Sequence, residues 1–194
     1  MSKKNTQADF LNSFNGISEE IIAELLKISE FKKISSGTQL VKLNDVSSKI
    51  YMLVSGVVRC YLITESGKEF NKSFYLPLGF MGSLTALIKR KPSIFIFETL
   101  SDCKLYEVDY YKLMELCKRN EQVNMLYSKV LEVVYVMYER RLIELISLDA
   151  KGRYLALRKQ IPTVDELIPQ YHIASYLGIT PVQLSRIRKK LDTN

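Results

Sequence analysis

The sequence predicts an α+β chain in three parts: an N-terminal antiparallel β-structure, a long helix and a small C-terminal helical unit. Between about Phe31 and Val108, short apolar and β-branched runs are divided by turn residues. From Asp109 onward, apolar residues recur at helical spacing instead. From Lys151 onward the charge turns basic, with eight Lys or Arg against three Asp or Glu, or five of the chain's net charge of +7. These shifts place the parts at 1–120, 121–148 and 149–194.

The 194 residues are 47% hydrophobic and 25% charged, the composition of an ordinary folded chain. No run reaches the ~18 to 20 apolar residues that cross a bilayer, so no membrane partner is expected. The first nine residues lack the apolar stretch of a secretion signal, and a cytoplasmic location is expected.

The first element is a helix opening at Ser18, with Glu19 and Glu20 in its first turn and Ile21, Ile22, Leu25 and Leu26 along one face. The strand candidates follow: 39–43, 50–54, 57–63, 70–76 and 94–97. Turn signals stand between them at Ser36-Gly37, Ser55-Gly56, Glu65 to Lys68 and Leu76 to Gly79. Such spacing predicts an antiparallel sandwich or rolled barrel of about eight strands. A short helix is expected over 111–117 and a long one over Glu121 to Leu148. In the long helix Val123, Tyr127, Val130, Val134 and Met137 form a 3.5-residue seam, the pattern of a helix packed along another helix. Leu126, Leu131, Val133 and Val136 put apolar groups on other faces, so two packing surfaces are expected, one for the β-structure and one for a second copy of the chain. The seam is assigned to a homodimer.

The densest local signal lies in Gln170 to Lys189, whose offsets match a helix-turn-helix. Ala174 falls where two crossing helices touch, and Gly178 supplies the left-handed residue that ends the first. Ile173, Leu177, Leu184 and Ile187 form the apolar seam between them. Thr180 caps the second helix, Pro181 takes its first position and Gln183 completes a capping box. Val182, Ser185, Arg186 and Lys189 are then left on an outward stripe that fits a major groove. Arg186 can donate a fork of hydrogen bonds to guanine, Val182 can touch a thymine methyl, and Ser185 can meet a base or a phosphate. Gln183 can reach an adenine edge or a phosphate, while Arg188, Lys189 and Lys190 suit phosphates. Gln170 and Thr180, at the helix starts, join this DNA-facing set. His172 is expected on the exposed side of the first helix, within reach of a phosphate.

This order of parts resembles the Crp/Fnr family of bacterial transcription regulators. The likeness rests on Ser55 to Arg59 and Ser66 to Glu69 as hairpin turns, on Leu78 to Leu84, and on Pro169 to Pro181, which is similar to the helix-turn-helix of a Bacteroidetes-type branch. It covers about Ile17 to Leu191. The resemblance implies a β-roll (a double-stranded β-helix like that of cyclic-nucleotide-binding domains), a dimerisation helix and a winged-helix-like DNA-binding unit. It implies a double-stranded operator, a second copy of the chain, RNA polymerase and a small effector of unknown identity as partners. The family's nucleotide cassette maps onto Gly82, Ser83, Leu84, Ser93 and Ile94. Serines there replace the carboxylate and arginine that grip cyclic AMP in members that bind it, so cyclic AMP binding is not expected. After Leu191 too few residues remain for wing strands, so a wing is expected before the helix pair or not at all.

Three dispersed cysteines cannot hold a four-thiolate cluster, and the β-region lacks histidine for a cupin metal site. No P-loop or G-x-S-x-G elbow is present. No catalytic residue, metal or cofactor is assigned, and an enzyme is not expected. The alternative reading is a cyclic-nucleotide- or other small-ligand-binding regulatory module without DNA binding.

Overall fold

A computed structural model describes residues 18–192. Helix α1 (Glu19–Lys27) starts at Ser18, whose hydroxyl accepts from the Ile21 N–H. Eight strands follow: β1 (Ser29–Ile34), β2 (Gln39–Val41), β3 (Lys49–Ser55), β4 (Val58–Ile63), β5 (Glu69–Tyr75), β6 (Phe80–Met81), β7 (Ile96–Thr99) and β8 (Cys103–Asp109). They form two antiparallel four-stranded sheets, in the orders β1-β8-β3-β6 and β2-β7-β4-β5. Val41, Leu53, Val58, Cys60, Phe97 and Leu105 fill the space between the sheets. Each such side chain contributes about 1.5–3 kcal/mol by leaving water. The tight Ser55-Gly56 corner requires glycine: its φ is +96°, and a Cβ there would lie 2.6 Å from the Asp102 carbonyl and the Cys103 sulfur.

A short helix of six residues, α2 (Leu84–Lys89), interrupts the strands at a place with no helical period in the sequence. The 94–97 run is also displaced. Its strand starts only at Ile96, and Ile94 is 64% exposed.

Helix α3 (Tyr110–Arg119) is capped by the Asp109 carboxylate, which accepts from the N–H groups of Tyr111 and Lys112. Helix α4 (Glu121–Ser147) is capped in the same way by Asn120. Asp149 caps α5 (Ala150–Gln160) through the Gly152 N–H at 2.7 Å. Helices α6 (Val164–Leu167), α7 (Gln170–Leu177) and α8 (Pro181–Asp192) complete the described chain. No strand follows β8 among the described residues, so none of them forms a wing.

The C-terminal core contains Tyr154, Leu157, Val164, Ile168, Ile173, Leu177 and Leu184, and it also takes in Val57 of the roll. Phe74, Leu76 and Leu100 pack against its edge. The helical unit and the roll therefore share apolar surface across the boundary drawn at 149. On α4, Val123 is 1% exposed and packs with Ile21 and Leu113, with Tyr127 beside it. The first turns of the expected seam thus face the chain's own core.

Candidate nucleic-acid interface

Helices α7 and α8 meet as the sequence spacing requires. Ile173, Ala174, Leu177 and Leu184 have no solvent exposure, and Ile187 and Leu191 pack at the rim. Ala174 has the small side chain such a crossing needs. Gly178 takes φ +71° and closes α7: its N–H reaches the Ser175 carbonyl, and the Ile179 N–H reaches that of Ala174 at 3.0 Å. The capping box is complete. The Thr180 N–H donates to Gln183 Oε1 at 2.8 Å, and the Gln183 N–H donates to Thr180 Oγ1 at 3.2 Å. Gln183 is thus held by its oxygen, and only its amide N–H groups point to other partners. Gln170 bridges the two helix starts by donating to the Pro181 carbonyl at 3.3 Å.

With Leu184 pinned inward, Val182, Ser185, Arg186, Lys189 and Lys190 lie exposed on the other side of α8. Arg188 turns partly back and pairs with Asp165 at 3.6 Å. That carboxylate also accepts from the Tyr154 hydroxyl at 2.7 Å. Two further guanidiniums hold the C-terminal end of α7, where the helix dipole is negative. Arg141 of α4 donates to the Tyr176 carbonyl, and Arg153 of α5 to that of Leu177 at 3.2 Å.

His172 requires a correction. It does lie away from the α8 seam, but that side of α7 is covered by the roll, and the residue is only 4% exposed. It cannot meet a phosphate in this arrangement. Its Nδ1 lies 3.0 Å from Arg59 Nη1 and 3.3 Å from Asn71 Nδ2. Both neighbours are donors, so Nδ1 accepts and the ring's proton is on Nε2. Burial, reinforced by the Arg59 charge, lowers the His172 pKa from 6.5 to about 4. Arg59 is itself 5% exposed, paired with Glu69 and with Glu98 at 3.1 Å, and stacked 3.7 Å over the Tyr61 ring. Sequence reading missed this cluster. The alternation of β4 shows only that Arg59 faces away from Val58 and Cys60.

The cassette residues do come together. Ser83 and Ser93, both buried, share a hydrogen bond at 2.8 Å, and Ser93 also donates to the Phe95 carbonyl. Leu84 is half-buried and Ile94 points to solvent. Lys72 of β5 reaches over the rings of Phe95 (4.1 Å) and Tyr138 (4.9 Å), tying the roll to α4. A cavity of about 70 Å³ beside it, lined by Lys72, Tyr138, Arg141, Glu144, Gln160 and Tyr176, lies where the roll, α4 and the helical unit meet.

The exposed apolar residues of α4 do not follow the expected seam. Of that set, Met137 is exposed, whereas Val130 and Val134 are half-buried. The larger open face carries Tyr135, Tyr138, Leu142, Leu145 and Ile146, with Ile146 77% exposed. No described helix is long and apolar enough to cross a membrane.

Residues 31–120 match the model of the cyclic nucleotide-binding domain. The chain is 28% identical over 184 residues to the anaerobic regulatory protein of Haemophilus influenzae, across 88% of this chain and 70% of that protein. Its fold is shared with the c-di-GMP-responsive global regulator CLP of Xanthomonas campestris (TM-score 0.70, 18% identity, covering 91% of this chain and 92% of that one). It is shared too with FixK2 of Bradyrhizobium japonicum (TM-score 0.72, 18% identity, 86% and 85% covered). The first two of these proteins are named as regulators.

Proposed function

We propose that this chain, whose residues 31–120 match the cyclic nucleotide-binding domain and which is similar to an anaerobic regulatory protein, is a transcription regulator of the Crp/Fnr type that binds operator DNA as a homodimer through α8. The observation that carries this is the stripe Val182, Ser185, Arg186, Lys189 and Lys190, exposed on a helix whose opposite side is fixed by a buried seam and a capping box. A capped helix with one rigidly held face presents the other in a defined direction, and a central arginine flanked by lysines suits a groove bounded by phosphates. Arg186 reads a guanine, Val182 a thymine methyl and Ser185 a base or phosphate. Lys189 and Lys190 take phosphates. Gln170, Thr180 and Gln183 hold the helix starts together, with the free amide of Gln183 available to DNA. Arg188 is braced by Asp165 and reaches DNA only by leaving that pair.

Dimerisation through the Tyr135-to-Ile146 face of α4 would bury the exposed apolar row and set the two recognition helices about 34 Å apart. A cytoplasmic location and contact with RNA polymerase belong to the same reading. Ser83 and Ser93 satisfy each other and leave no ionic grip for a cyclic phosphodiester, so the roll answers to an effector other than cyclic AMP, or to none.

The deciding comparison is Arg186→Ala against Lys190→Ala, on a selected and a random duplex at several salt concentrations. Loss of Arg186 is expected to cost about 1–3 kcal/mol and to relax preference at one base pair per half-site. Loss of Lys190 is expected to weaken all duplexes alike and lower the salt slope by about one per subunit. DNA retention unchanged in both variants would remove the DNA-binding reading.

A further inference from the structure

The outer face and edge of the second sheet hold features that folding of the roll alone does not explain. Strand β5 is an edge strand of the order β2-β7-β4-β5, and it carries a bulge. Cys60 pairs with Ser73 while Tyr61 pairs with Asn71, so Lys72 is the extra residue. Edge strands leave a row of backbone groups unpaired, and here one side chain of α7 meets two of them. The Asn71 N–H donates to the Ser175 hydroxyl at 3.0 Å, and that hydroxyl donates to the Glu69 carbonyl at 2.9 Å. Three residues earlier on the same helix, His172 sits on Arg59, with its carbonyl 3.4 Å from Asn71 Nδ2. One residue beyond Ser175, Tyr176 packs against Phe74, ring centroids 5.3 Å apart.

The cluster is not arranged for stability. Arg59 and, in large part, Glu98 lose water in forming it, while the Glu69 side chain stays 40% exposed, and two buried atoms, Arg59 Nε and Asn71 Oδ1, have no hydrogen-bond partner among the described residues. An apolar patch of the same area would hold the units together at least as tightly. A seat with directed bonds at His172 and Ser175, and a ring contact at Tyr176, fixes orientation instead. It grips α7, leaves the outward stripe of α8 open, and so determines which way that stripe faces relative to the roll.

We propose that Arg59, Asn71, His172 and Ser175 are positioning residues that seat α7 on the edge of β5 and thereby set the direction, and in a dimer the spacing, of the recognition helices. The spacing part rests on the DNA-binding dimer proposed above; the seat itself does not. With both heads seated, a dimer tolerates one half-site spacing. With the seat broken, each head turns on its α4–α5 joint at Leu148-Asp149 and the spacing constraint relaxes.

The Asn71 amide is a direct reporter, because its acceptor belongs to α7 and not to the sheet. In the full chain without DNA, the double variant Ser175→Ala/His172→Lys is expected to speed exchange of this amide by about tenfold or more, while the Leu184 amide in α8 stays protected. Ser175→Thr, which keeps the hydroxyl, is expected to leave Asn71 slow. The second readout uses a duplex selected by the wild-type chain from random sequence, the same duplex lengthened at its centre by about five base pairs (half a helical turn), and its single half-site. The wild type is expected to lose about a hundredfold in affinity on lengthening, and the double variant about threefold or less. On the single half-site the two should agree within about twofold. An Asn71 amide unmoved by the double variant overturns the seat. Faster exchange with a wild-type spacing preference overturns its positioning role. If the wild-type chain selected no duplex, the DNA reading would fail by itself and the exchange result would still decide the seat.

Discussion

At His172, burial and Arg59 oppose the proton and prevail over Glu69 and Glu98, which favour it, with the Tyr171 ring tilted 48° against the imidazole, centroids 4.0 Å apart, and Asn71 donating to the same nitrogen. The folded chain therefore holds this imidazole neutral down to about pH 4, whereas an unfolded chain protonates it near 6.5. Within that window the unfolded state binds more protons, so stability must fall as the pH drops from about 6.5 towards about 4 and is present in full above it. The whole span corresponds to about 3 kcal/mol. His172→Gln is expected to flatten this part of the curve, which urea midpoints at pH 5 and pH 7 would check; an unchanged slope would mean the imidazole stays solvated. In the seam, Leu184→Ala is expected to cost about 2–5 kcal/mol by chemical denaturation, since Leu184 is fully enclosed. The two residues differ in how far they could be read from sequence. Leu184 follows from its distance to Ile173 and Leu177 along the chain. The burial of His172 depends on Arg59, 113 residues away, and helical period shows which face avoids α8 but not that another element covers it.

Among the elements, those closed by local bonds were legible and those shaped by distant partners were not. Thr180, Gln183 and Gly178 act within about one turn of their own position and Ala174 at the crossing with the very next helix, and all four sit where spacing alone put them. Thr180→Ala is accordingly expected to cost about 1 kcal/mol and to fray the first turn of α8, seen as faster amide exchange at Val182 and Gln183 with Leu184 unaffected. The long helix is the opposite case. A 3.5-residue period marks a packed stripe without saying what packs on it, and α1 and α3 claim the Val123 end of that stripe. The face left over lies about one residue further round, through Tyr135, Tyr138, Leu142 and Leu145. Helix α2 escaped notice because six residues are too few to show a period.

Taken whole, the molecule shows an apolar helix face and a basic helix face, both open on one chain. If the first is where a second copy docks, Tyr138→Asp/Leu142→Asp is expected to yield a folded monomer by sedimentation at micromolar concentration. The same variant should lose about a hundredfold or more on a two-half-site duplex, because the second contact is no longer tethered. A dimer surviving both substitutions would place the contact elsewhere. The seating of α7 along β5 has a consequence for anyone who trims this chain. A roll cut off after residue 148 would keep its sheets, yet the Asn71 N–H and the Glu69 carbonyl would face water beside Phe70 and Phe74, and the same margin of a neighbouring copy offers both what they lost. The isolated fragment should therefore stack on itself strand to strand and scatter light as it concentrates, so that the helical head serves, besides any errand on DNA, as the cover that keeps one roll from becoming the template for the next.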